Sequence, residues 1–241
     1  MRNFLLTLLF FMSSVVVFSQ QMESVTVKGK PDGKFEQSYG TIKITGEVLN
    51  EQKTGTWIET HPNTELPHFI VQYADGKKNG LFLEIDKQAN LIKKIDYKDG
   101  YIHGSSYQWF KGGRLSKNQE YKEGKLDGKT VICYDRGAIQ EESYYKNGKR
   151  DGVTIWYSYA DKGQGPKAAM YTYKDGVFEG VQETYYDDGS LKSTKMFSNN
   201  VANGTAVEFY EDGSIKSECT YKNGEVSGRV KEYSKGEKQS K

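Results

Sequence analysis

Residues 121–144 read YKEGKLDGKTVICYDRGAIQEESY, and the same pattern restarts at once with YKNGKRDG at Tyr145. Two glycines four residues apart, Gly124 and Gly128, follow Glu and Asp, side chains that favour turns and tolerate positive φ. An alternating stretch comes next, then a second turn, DRGA at Asp135, then a returning segment led by Ile139. Alternation with period two predicts strands, so one such unit is one β-hairpin with a Gly-rich link to the next.

The pattern recurs in both directions. Units begin YADGKKNG at Tyr73, YKDGYIHG at Tyr97, YKDGVFEG at Tyr173, FSNNVANG at Phe197 and YKNGEVSG at Tyr221. The spacing is 24 residues except between Tyr145 and Tyr173, where it is 28. The four extra residues fall in the GQGPK stretch near Gly163 to Lys167, which predicts a longer hairpin tip with the register intact. A degenerate unit, GEVLNEQKTGTWIE from Gly46, precedes the array, as expected of a terminal repeat that caps an exposed end. A fixed period governs the reading of every residue within it.

The unit Y-x-x-G-x-x-x-G-x4-aromatic-aromatic-x-x-G-x-[LI] resembles the bacterial variant of the MORN repeat, over roughly Gly46 to Ser234. Its glycines are placed differently from the eukaryotic-type pattern, so partners known for that branch transfer poorly. The expected fold is all-β: an elongated single-layer antiparallel β-meander of tandem hairpins of about 24 residues. Two strands per unit at about 4.8 Å each advance the sheet by about 10 Å, which predicts a length of about 80 Å before twist and curvature.

Four segments follow: a signal peptide over 1–19, an N-terminal cap region over 20–45, the hairpin array over 46–234, and a flexible C-terminal tail over 235–241. The leader is read from Arg2, the apolar run Phe4 to Phe18, and Val17-Phe18-Ser19, with cleavage after Ser19. The run is about 15 residues long and contains Ser13 and Ser14, short of the ~20 a spanning helix needs. No cysteine follows it for lipid attachment, and no later apolar run is long enough to span. The mature chain is thus expected to be exported, to the periplasm, outer envelope or medium, with no stable membrane span.

Composition agrees with strands and tight turns: 36% hydrophobic residues, 26 Gly, 18 Tyr and only 4 Pro. The formal charge is +2, or +1 without Arg2, so the overall field gives no reason to expect nucleic acid. The only cysteines, Cys133 and Cys219, lie in blocks placed about 30 Å or more apart by the repeat, beyond the roughly 7 Å reach of a disulfide. Two buried or half-buried free thiols are expected.

The chain shows no Walker loop, nucleophile elbow, Rossmann fingerprint, calcium loop or zinc-like Cys/His spacing. Its acidic residues sit mostly at turns, Asp187-Asp188 included, and His61, His68 and His103 are the only histidines. No catalytic residue, cofactor site or metal site is assigned, and the chain is read as non-enzymatic. The positions one, three and five after the second glycine (Leu81, Leu83, Ile85; Ser105, Tyr107, Trp109; Val153, Ile155, Tyr157; Thr205, Val207, Phe209) are expected to form the thin core. The face with Glu84, Gln108, Thr154, Trp156, Thr184 and Glu208 is expected to be solvated.

The candidate partner-binding aromatics are Trp57, Trp109, Trp156, Tyr185, Phe209 and Tyr233. Large side chains in a one-layer sheet also serve simply to bury area. The leading functional reading is a binding or scaffold surface for a protein partner in the cell envelope. The alternative is a carbohydrate or cell-wall binding module, marked by a Trp or Tyr cage between repeats. A third reading, an antitoxin or immunity-type neutraliser, follows only from the family resemblance.

Overall fold

A computed structural model describes residues 20–236. The assigned signal peptide and the last five residues of the tail lie outside them. After a five-residue helix α1 (Gln20–Ser24), the chain runs through β1 (Gly33–Tyr39), β2 (Ile42–Leu49), β3 (Gln52–Thr60), β4 (Pro67–Ala74), β5 (Lys77–Ile85) and β6 (Leu91–Lys98). It continues through β7 (Tyr101–Trp109), β8 (Leu115–Lys122), β9 (Lys125–Cys133), β10 (Ile139–Lys146), β11 (Lys149–Arg150) and β12 (Gly152–Tyr157). The last strands are β13 (Lys167–Lys174), β14 (Val177–Tyr185), β15 (Leu191–Ser198), β16 (Val201–Phe209), β17 (Ile215–Lys222) and β18 (Glu225–Glu232).

Each strand pairs antiparallel with the one before and the one after it, giving one open meander. β11 and β12 share the same partner, β10, and count as one strand broken at Asp151. The sheet does not begin at Gly46: β1 and β2 form a further hairpin in continuous register with it. The longer connection lies between Tyr157 and Lys167, closed by Ser158 N–H donating to Pro166 O at 2.8 Å, and pairing resumes at Tyr157↔Lys167.

The two glycines of a unit have different jobs. The first closes a type I′ turn with the residue before it, as in Asp99 (φ 51) and Gly100 (φ 87), where both central residues need positive φ. Its N–H donates back to the previous hairpin: Gly124 N to Ile102 O at 2.8 Å, Gly148 N to Leu126 O at 2.7 Å, Gly224 N to Ala202 O at 2.9 Å. The second glycine lies inside a strand, at a bulge. Between the pairs Tyr121↔Leu126 and Gln119↔Thr130, β9 spends four residues where β8 spends two, and Gly128 sits in that excess at φ 121. This corrects the expectation that both glycines are turn residues.

The bulge also decides the facing of the strands. On one side, here the tyrosine face, Tyr73, Tyr97, Tyr121, Tyr145, Tyr173, Phe197 and Tyr221 form a row. Each stands opposite the bulge glycine of the preceding strand, from Gly55↔Tyr73 to Gly204↔Tyr221. Across the next turn each faces a spacer: Lys78, Ile102, Leu126, Arg150, Phe178, Ala202 and Val226. The rings shade the short side chains beside them. Phe82, Thr130, Thr154 and Gln182 on this face are buried, whereas Val153, Val181 and Thr205 on the reverse face are exposed. The expected assignment of core and solvated faces is therefore overturned at these positions. Period-two alternation defines two faces but does not say which is covered.

The apolar core gathers at the N-terminal end, where Met22, Val25 and Val27 pack with Phe35, Ile44, Val48, Trp57, Phe69, Val71, Phe82 and Ile95. Burying a Met, Ile or Phe side chain of this kind stabilises by roughly 1.5–3 kcal/mol. Trp57 is fully buried, and its indole N–H donates to Glu47 O at 3.2 Å and Thr54 O at 3.0 Å. Beyond Ile95 the buried hydrophobic residues are Cys133 and Ala202, and polar Thr130, Glu141, Ser143, Thr154 and Gln182 take the inner positions.

Candidate binding face

The reverse face carries parallel rows set by the strand pairing, one at the loop end and one beside the bulges. At the loop end, the residue five after the bulge glycine faces an aliphatic residue across the hairpin in five units: Ile85↔Leu91, Trp109↔Leu115, Cys133↔Ile139, Tyr185↔Leu191 and Phe209↔Ile215. The aromatic that follows anchors the next repeat. Tyr134, Tyr186 and Tyr210 donate their hydroxyls to Tyr157 O (2.8 Å), Phe209 O (2.7 Å) and Tyr233 O (3.0 Å). The double aromatic of the repeat thus divides its labour, one ring lying in the row and the second tying two hairpins together.

Four of the six candidate aromatics, Trp109, Tyr185, Phe209 and Tyr233, belong to this loop-end row and are half-buried. Tyr107 and Trp109 stack at 5.8 Å. Burial, reinforced by a hydrogen bond to the Glu183 carboxylate, pushes the Tyr185 phenol up to about 12. Tyr233 donates to Glu218 Oε1 at 2.8 Å. Trp156 lies on the tyrosine face instead, with its indole N–H on Glu141 Oε2 at 3.0 Å and the Arg150 guanidinium 5.3 Å from its ring. Trp57, fully buried beneath the N-terminal segment, presents no surface to a partner. The tryptophans accordingly do not share one row.

The row nearest the bulges was missed as a site, because Val153, and Val181 by the same rule, were assigned to the core and Tyr144, Thr172 and Met196 were given no role. Tyr144, Val153, Thr172, Val181 and Met196 stand side by side across β10, β12, β13, β14 and β15. Tyr144 is 45% exposed, Val153 37%, Val181 40% and Met196 42%. The signal for it is Tyr144 and Met196, which stand where Gln72, Asp96 and Glu120 stand in earlier units.

Other chemistry is accounted for by local structure. Asp188 and Asp212 accept from Ser190 N (2.8 Å) and Ser214 N (3.0 Å) within their own turns, and the Ser side-chain and backbone hydrogen bonds hold both carboxyls below their usual range. His61 and His68 stack at 4.3 Å, and His61 Nε2 lies 2.8 Å from Ile85 O. Burial, with His61 alongside, lowers the His68 pKa. Among the described residues no group of three or more His, Cys, Asp or Glu is arranged to hold a metal ion. Both thiols are free, Cys133 buried on the reverse face and Cys219 half-buried on the tyrosine face. No helix among the described residues is long and apolar enough to cross a membrane.

Residues 178–199 and 202–223 match the family model of the MORN repeat variant. The two matched segments are 24 residues apart and cover β14–β15 and β16–β17, so these hairpins are MORN-type repeats. The MORN hairpins share their Gly–aromatic cross-strand pair, Gly180↔Phe197 and Gly204↔Tyr221, and turn-to-turn hydrogen bonds with the units before them. No curated protein matches the chain. MORN repeats form a non-catalytic family of binding modules, and the open repeat sheet is compatible with a binding scaffold.

Proposed function

We propose that the chain is exported and serves as a non-enzymatic scaffold that binds a protein partner in the cell envelope. The observation that carries this reading is the open meander of MORN-type hairpins, whose reverse face leaves apolar and aromatic side chains partly exposed over successive repeats. Extended repeat surfaces of this kind suit protein partners, since each hairpin adds one further strip of contact. Export is supported by the composition of residues 1–19. A glycan ladder is less well supported, because Trp109 and Trp156 face opposite sides and Trp57 is enclosed.

The test is a capture experiment with residues 20–241 on native envelope extract, run beside a sedimentation assay on insoluble cell wall. A stoichiometric protein retained through salt washes supports the scaffold. Retention on wall material with no protein captured overturns it in favour of a carbohydrate module.

A further inference from the structure

The repeat supplies its own control for the bulge-side row of the reverse face. The residue eight before each bulge glycine is Gln72, Asp96, Glu120, Tyr144, Thr172 and Met196 in successive units. In the first three, the side chain accepts from the N–H just after the bulge: Leu81 N to Gln72 Oε1 at 2.8 Å, Ser105 N to Asp96 Oδ2 at 3.4 Å, Lys129 N to Glu120 Oε2 at 3.1 Å. Tyr144 and Met196 have no carboxylate or amide to offer, so these units forgo that hydrogen bond. The residue after the glycine is Leu81, Ser105 and Lys129 in those three units and Val153, Val181 and Thr205 in the next three. The fold thus accepts polar residues at these positions and gains a hydrogen bond from them, yet the middle of the array places exposed apolar side chains there. Val181 and Met196 face each other across the strands, and Tyr144 and Met196 lie over Gly152 and Gly204, yet Tyr144, Val153, Val181 and Met196 all stay 37–45% exposed.

The turn-side edge of this strip carries Lys146, Lys149 and Lys174 beside Asp151 and Glu179, and its lysines crowd at the β10 end. Lys146 is two residues from Tyr144 and lies directly opposite Lys149 across the turn, and Lys122 lies opposite Lys125 one hairpin earlier. Like charges placed directly opposite destabilise a hairpin, and Asp151, which interacts with both Lys174 and Lys146, is a single carboxylate among these lysines. Lys174, two residues from Thr172, is held by Asp151 at 3.2 Å. The apolar strip from β10 to β15 crosses four strand spacings, about 19 Å.

Resting on the scaffold reading above, we infer that the reverse face of β10–β15 docks an acidic amphipathic segment of the protein partner. Its apolar side chains lie on Tyr144, Val153, Val181 and Met196, and its carboxylates meet Lys146 and Lys149. A helical segment spanning the strip needs about 13 residues at 1.5 Å each.

The probe is a synthetic 14-residue amphipathic Glu/Leu peptide, titrated by fluorescence anisotropy beside its Lys/Leu counterpart and a Glu/Ser peptide without the apolar face. The wild-type chain is expected to bind the Glu/Leu peptide at least tenfold more tightly than either control. Two variants should each lose that binding tenfold or more. Tyr144→Glu/Val181→Thr/Met196→Glu installs residue types found elsewhere in the row, and Lys146→Glu/Lys149→Glu reverses the edge while leaving the strip intact. Circular dichroism and melting temperature report whether each remains folded, and the second variant keeps the test decisive if the first does not fold. Equal binding of the acidic and basic peptides, or undiminished binding by folded variants, overturns the inference. An envelope protein captured equally by wild type and both variants would overturn this docking site while leaving the scaffold reading in place.

Discussion

The bulge glycines make a quantitative prediction. A Cβ added at Gly128 would lie 2.0 Å from Glu120 Oε2 and 2.8 Å from Glu120 Cβ, on a backbone held at φ 121. Gly128→Ala therefore carries two penalties. Forcing a non-glycine residue into that region costs about 1–3 kcal/mol. Pushing the Glu120 side chain away also forfeits its hydrogen bond to Lys129 N–H, about 1 kcal/mol at an exposed site. The sum is about 3 kcal/mol. Gly228, at φ 89 with nothing within 4 Å of an added Cβ, should show the backbone penalty alone. Urea unfolding followed by tryptophan fluorescence measures both, and a cycle with Glu120→Ala isolates the side-chain part, expected at about 1 kcal/mol. If Gly128→Ala costs under 1 kcal/mol, or the same with and without Glu120, the bulge account is wrong.

Tyr186→Phe and Tyr210→Phe each remove a hydroxyl bond to the following repeat and should cost about 1 kcal/mol, with faster amide exchange concentrated in the hairpin that loses its tie. Gly46→Ala would drive a methyl to 2.2 Å from the buried Trp57 ring, and its expected loss of more than 3 kcal/mol should appear as a lowered melting temperature. Burial and Glu183 favour the neutral Tyr185 phenol in the folded state. Its stabilising contribution is thus complete below pH ~10, where the unfolded phenol begins to ionise, and is lost as pH rises toward about 12. Alkaline absorbance titration of wild type against Tyr185→Phe should show one late tyrosinate fewer in the variant. Cys219, half-buried, should react with a thiol reagent before Cys133, which is buried and has its thiol pushed up by burial; equal rates would contradict the assignment.

The period of the array and its type I′ turns were legible because a dipeptide such as Asp99-Gly100 announces positive φ on its own. The free cysteines followed from the period in the same direct way. The second glycine was read as a turn residue because a glycine after three residues looks the same in a turn and in a bulge; only the shifted pairing around Gln119 and Tyr121 separates them. The facing of the strands failed for a related reason. Val153 and Thr154 alternate plainly, but the cover over Thr154 comes from neighbouring strands far along the chain, which local alternation does not encode. Trp57 was a reasonable exposed candidate by residue type, and its burial depends on Met22 and Val25 folding back across the first hairpins. The apolar strip was hidden by the same error of facing: once Val153 and Val181 are assigned inward, their hydrophobicity needs no further explanation.

The backward hydrogen bond from each turn glycine and the forward one from several of the second aromatics reach about one period along the chain and no farther. A hairpin is consequently interchangeable currency within the array. Excising 24 residues between two equivalent positions, such as Gly100 and Gly124, would bring matching donors and acceptors together at the junction, and duplicating them would do the same. The array can therefore lengthen or shorten by whole units. The number of strips available to a partner is free to change while the rules of folding stay fixed.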